Sequence, residues 1–112
     1  MVAKADVPIR GGIYMTNFDP SLGHEQRGFR PAVVVSDASY NEKVGMALIC
    51  PITSACKGYP FEVYFEAKTL SGVILTDQIK SVDWHVRRMR HADNLSPEVL
   101  AEVPSKLISL IQ

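Results

Sequence analysis

The sequence predicts a mainly β domain closed by one C-terminal α-helix, and three observations carry that reading. Short apolar runs rich in β-branched and aromatic residues alternate with turn residues. The seven glycines and seven prolines fall singly between those runs, with no repeat and no low-complexity linker. The apolar period changes from strand-like to helical only after Ser96. A chain of 112 residues supports one core, since halving it would leave each part too little apolar surface to bury. Residues 1–112 are therefore read as one domain, with 1–9 loosely ordered.

Taken in order, Gly12 to Phe18 reads as a strand ended by Asp19 and Pro20, and Arg30 to Ser36, with the run Ala32 to Val35, as a strand buried on both faces. Further strands are predicted at Gly45 to Ile52, Phe61 to Phe65 and Gly72 to Leu75, the last with a run toward Ile79, separated by turns at Lys57 to Pro60 and Lys68 to Ser71. Strands at this spacing suit a small barrel. Ser96 is a natural N-cap, Pro97 fits the first helical position, and Val99, Leu100, Val103, Leu107, Leu110 and Ile111 recur at helical spacing. Pro104 lacks the N–H that would bond the Leu100 carbonyl, so a kink or break is expected near Val103.

Composition excludes several classes. Hydrophobic residues at 46% and charged residues at 21% are far from the signature of disorder. Twelve basic and twelve acidic side chains cancel, which removes the excess positive field of a nonspecific duplex binder and leaves nucleic acid only a local patch. The longest apolar run, Met46 to Cys50, is five residues, against about 20 for a membrane span. The segment MVAKADVPIRGG has no apolar stretch of the secretory kind, so a cytoplasmic location is expected. Cys50 and Cys56 have no companion ligands at zinc spacing; the reading is one buried thiol and one loop thiol, both reduced, with no metal and no cofactor.

The chemistry gathers in two polar stretches. The ten-residue loop SLGHEQRGFR offers His24 and Glu25 as proton acceptors and Arg27 and Arg30 as cations, and long polar loops often carry function. Thr53 and Ser54 place hydroxyls at a strand end, where they either meet a ligand or fold back on their own backbone. Glu25 and Arg30 also suit a plain structural ion pair. No Ser/His/Asp set and no phosphate-cradling glycine loop is present.

GGIYMTNFDPSLGHEQRGFRPAVVVS, followed in order by CPITS, KGYPFEV and SGVILTDQIKSVDW, resembles the MazF/PemK family of bacterial toxins over about residues 10–111. The resemblance implies an SH3-like barrel of the CcdB/PemK toxin type with a C-terminal helix, a homodimer, and inhibition by a MazE-like antitoxin. It also implies a ribonuclease that cuts single-stranded RNA at specific sequences without metal, stopping translation and growth. In that chemistry the ribose 2′-OH attacks the adjacent phosphate, leaving a 2′,3′-cyclic phosphate and a 5′-hydroxyl. Carried onto matching positions, the catalytic set is Arg30, Thr53 and Glu25, with His24 as an alternative or assisting base. Ser54, Lys57, Asp77, Gln78 and Lys80 fall in the matched motifs as substrate-binding candidates.

Two alternatives follow from the same resemblance. CcdB shares the barrel yet binds DNA gyrase without cutting nucleic acid, although its mode uses a tryptophan-bearing C-terminal tail and this chain ends LISLIQ. An inactive relative that only binds antitoxin is the other, suggested by Pro104. The chain mixes branches, with GHEQ resembling PemK and KGYPFEV and DQIKS resembling MazF. PemK-type members carry an arginine two residues before the aspartate matching Asp77, and here that residue is Leu75, so Asp77 is read as either structural or dimer-lining. Phe18, Phe61 and Trp84 are read as core. HVRRMRH, residues 85–91, suits RNA, an acidic antitoxin tail, or a solvated basic face with Met89 turned inward.

Overall fold

The fold follows from one strand that is apolar on both faces. In the computed structural model, which describes residues 6–19, 23–24 and 28–112, β3 (Met46–Thr53) lies at the centre of a seven-stranded sheet. It pairs antiparallel with β2 (Phe29–Val34), which pairs with β1 (Gly12–Asn17), which pairs with β7 (Arg90–Asn94). Alternation along these strands feeds two cores. Tyr14, Ala32, Val34, Ala47 and Ile49 pack on one face with Val82 and Trp84. Ile13, Val33, Cys50 and Ile52 pack on the other with Val63, Phe65, Ile74 and Val103.

The free edge of β3 changes partner along its length. Met46 to Ile49 pair with β6 (Lys80–Asp83), whereas Ile52 and Thr53 pair with β5 (Ser71–Leu75), which in turn pairs with β4 (Glu62–Glu66). Pro51, with no N–H to donate, falls in the gap between the two pairings. A short 3-10 turn, Thr76–Gln78, carries the chain across that gap, and the sheet curls into a half-barrel.

Two elements depart from the sequence expectation. Helix α1 (Ala38–Val44) occupies a stretch to which the sequence assigns no element; Asp37 caps it by accepting the Ser39 N–H at 3.0 Å, and Gly45 ends it at φ 76°. Helix α2 (Pro97–Ile111) starts on Ser96 as expected, with its hydroxyl oxygen accepting the Val99 N–H at 3.3 Å, but runs through Pro104 without a break. Val103, fully buried next to Pro104, and the partly buried Val99, Leu100 and Leu107 hold both halves of the helix against one core, which offsets the lost hydrogen bond. That removes the reason given above for an inactive relative. The looseness expected for residues 1–9 also does not extend to Val7 and Pro8. Val7 packs in the core, and the buried Pro8 carbonyl accepts Asn41 Nδ2 at 2.9 Å.

Candidate active site

The base of the polar loop is stitched from both sides. Phe18 N–H donates to the Gly28 carbonyl at 2.8 Å, and Gly28 N–H donates to Asp19 Oδ1 at 2.9 Å. The Arg87 guanidinium donates to the carbonyls of Asn17 and Asp19. Gly28 turns at φ 80°, a left-handed conformation that a side chain disfavours, and Arg30 follows two residues later in β2. Glu25 lies outside the described residues; His24 is described and exposed.

Thr53 closes the opposite side. Arg30 and Thr53 each stand two residues beyond the last Ala32–Pro51 pair of β2 and β3, so alternation directs both from the ladder toward the same face. Thr53 Oγ1 accepts the Ala55 N–H at 3.2 Å, which is the turn-forming role weighed above, yet that bond leaves the hydroxyl proton to donate elsewhere. Gly72 makes the seam possible: a Cβ there would lie 2.5 Å from the Thr53 carbonyl oxygen, and its φ is 153°.

From this seam opens a cavity of about 340 Å³. Its walls include five of the residues proposed from sequence: His24, Thr53, Lys57, Asp77 and Gln78. Ser54 is exposed and does not line it, and Lys80 stands apart with Nζ 5.8 Å from the Phe18 ring centroid. Partial desolvation raises the Asp77 carboxyl above the usual carboxylate range, and the nearby Glu62 charge pushes the same way. Phe18 and Trp84 are core as expected, whereas Phe61 is half-buried and lines the cavity with Tyr59, their ring centroids 5.3 Å apart.

Sequence reasoning missed Glu62. Its carboxylate accepts the Gly58 N–H at 2.9 Å and the Lys57 N–H at 3.2 Å, and Cys56 Sγ lies 3.6 Å from it. One acidic side chain on β4 thus shapes the turn that carries Lys57. The KGYPFEV motif contains it, but only strand pairing shows which way it faces. The cysteines match their reading: Cys56 is exposed, and burial, with the Asp77 charge, pushes the Cys50 thiol up to about 12. A thiol so protonated is no nucleophile.

The site thus joins hydroxyl, cationic, imidazole and carboxylate groups around one opening, a set suited to proton transfer beside an anion. Residues 9–111 match the family model of the PemK-like, MazF-like toxin of type II toxin–antitoxin systems. The chain belongs to that family. Among its relatives, the endoribonuclease toxin MazF of Escherichia coli K12 is 44% identical over 105 residues, covering 94% of this chain and 95% of that one. MazF from Deinococcus radiodurans superposes with a TM-score of 0.89 at 48% identity, over 94% of this chain and 96% of that one. The MazE–MazF complex from the same organism gives 0.82 at 43% identity, covering 94% and 95%. Leu75, where the resemblance to the PemK branch leads one to expect an arginine, is buried in the cavity wall.

Proposed function

We propose that this toxin-family endoribonuclease cleaves single-stranded RNA by metal-independent transesterification at the Thr53 cavity. The supporting observation is the convergence of His24, Thr53, Lys57 and Asp77 on one opening, with Arg30 leaving the sheet on the Thr53 face. Glu25 or His24 takes the 2′-OH proton, the 2′-oxygen bonds to phosphorus, and the bond to the 5′-oxygen breaks as that oxygen gains a proton. Arg30 is permanently charged, so it stabilises the phosphorane oxygens and can donate, but is a poor base. Thr53 donates a hydrogen bond to the phosphate. Lys57 adds positive charge from the turn that Glu62 holds. Asp77 and Gln78 line the substrate wall. Ser54 and Lys80 lie outside the cavity itself and act only on nucleotides beyond it.

The active unit is a homodimer, and a MazE-like antitoxin with an acidic segment blocks it. The cavity lining favours cleavage over gyrase binding, because the latter needs no such set of proton acceptors and cations. The test is a long single-stranded RNA incubated with the protein in EDTA, with the ends mapped. Cuts at a recurrent short sequence with cyclic-phosphate and 5′-hydroxyl ends are expected, falling about 10³-fold in kcat/KM for Arg30→Ala with an unchanged melting temperature. Intact RNA from a folded dimer overturns the reading.

A further inference from the structure

The cleavage cavity uses none of residues 85–91. That run carries three arginines and two histidines and no acid, in a chain whose net charge is zero. Met89 does turn inward against the core, as a plain solvated face requires. The rest of the run does something else. It walls a second cavity of about 770 Å³, lined by His85, Arg88, Arg90 and His91 together with Trp84 and Tyr14.

The wall is preformed. Asp83 Oδ1 accepts the N–H groups of His85 and Val86 at 3.0 and 3.1 Å, and the Arg88 N–H donates to the His85 carbonyl at 3.1 Å. Arg88 itself is held at φ 55°, a conformation that costs energy outside glycine and that clusters at functional sites. Arg87 is spent on the loop carbonyls, which leaves Arg88 and Arg90 as the cations of this cavity. Among the described residues, Asp6 is its one acidic lining residue.

Its rings are arranged for planar ligands. The exposed His85 imidazole stacks on buried Trp84 with centroids 4.0 Å apart and planes at 25°. Tyr14 and His91 meet edge to face at 5.3 Å. A smaller cavity shares Arg88, Met89 and Arg90 and is closed by Phe29, whose ring centroid lies 5.9 Å from the Arg90 guanidinium carbon. Phe29 directly precedes Arg30. A purely acidic peptide would need the cations but not the stacked faces; unpaired bases need both.

We propose that this second cavity binds single-stranded RNA flanking the cleaved nucleotides, a base extending the Trp84–His85 stack while Arg88 and Arg90 meet phosphates. The proposal rests on the RNA reading above and adds a distinct subsite to it. Recognition is of stacking surface and backbone charge, so this subsite lengthens the footprint without specifying sequence.

The experiment measures binding by fluorescence anisotropy with two 2′-deoxy-blocked RNAs, one spanning only the cleaved site and one extended on both sides. Wild type is expected to hold the longer RNA about tenfold more tightly. R88A/R90A loses that advantage, keeps its affinity for the shorter RNA, and lowers the salt slope of log Kd by about 1.4. Arg90→Lys, which keeps the charge, recovers part of the loss and guards against a folding defect. Equal affinity for both lengths, or an advantage that survives R88A/R90A, overturns the proposal. So does a polyglutamate peptide that binds wild type and not the variant while RNA length has no effect, which would mark a protein-docking surface. A protein that cleaves no RNA yet shows the length advantage defeats the cleavage reading and leaves this subsite standing.

Discussion

The two ends of β3 are built on opposite principles. From Met46 to Ile49 the strand is paired with β6, with β2 joining on the other edge at Ile49, and Ala47 and Ile49 are completely buried. Four residues on, at Thr53, the neighbours are a turn, a glycine and an open cavity, and side chains supply many of the hydrogen bonds. The first end is stabilised by apolar burial and tolerates little change in volume. The second derives its order from a few acceptors, Glu62 above all, so its alterations register in chemistry before they register in stability. The candidate site opens where regular pairing ends.

Breaking the first end should give the larger thermodynamic effect. Ile49→Ala removes a fully buried side chain and is expected to cost about 3 kcal/mol, read from urea midpoints, with residual activity tracking the folded fraction. Gly72→Ala attacks the seam. Its Cβ meets the Thr53 carbonyl at 2.5 Å in a glycine-favoured conformation, so a stability loss of about 2 kcal/mol is expected, with a fall in kcat beyond what unfolding explains. Glu62→Gln keeps one acceptor for the Gly58 N–H but removes the charge. An increase in KM of about fivefold, roughly 1 kcal/mol, with an almost unchanged melting temperature would sharpen the contrast. An unchanged KM would show that the Lys57 turn holds itself.

A still smaller effect appears only in acid. Buried Asp93 accepts the Thr69 N–H at 2.7 Å and the Asn94 N–H at 2.8 Å, and these bonds lower its pKa from 3.8 to about 2. A carboxyl with a depressed folded value stabilises fully above its unfolded value, and that contribution is lost as pH falls through the window between 3.8 and about 2. Melting temperatures of wild type should drop across that window more steeply than those of Asp93→Asn, which is less stable at neutral pH.

The sequence was informative where apolar alternation dominates. β1, β2 and β3 were legible because Ile13, Val33 and Ile49 recur in β-branched runs, and α2 because Ser96 and Pro97 mark its start. Helix α1 was missed because its buried residue is Asn41, whose amide and carbonyl serve Pro8, Ser36 and Trp84; no hydrophobic period reveals a polar anchor. β6 and β7 were missed because KSVD and RHADN are largely polar strands that owe their place to partners distant in sequence. In the candidate site, Thr53 and Lys57 were reachable through motif resemblance, which marks residue types. The clamp by Glu62 depends on the β4–β5 register and had no local signature.

The gap at Pro51, where one edge of β3 exchanges β6 for β5, has a consequence for synthesis. The cavity wall draws on His24, the end of β3 with the turn that follows it, Glu62 of β4, Leu75 of β5 and the Asp77–Gln78 turn, joined by pairings between residues far apart along the chain. No early fragment of the polypeptide contains a working centre, because the wall is incomplete until Gln78 has emerged and β5 has closed on Thr53. A growing chain therefore lacks the complete cavity until the molecule is nearly finished.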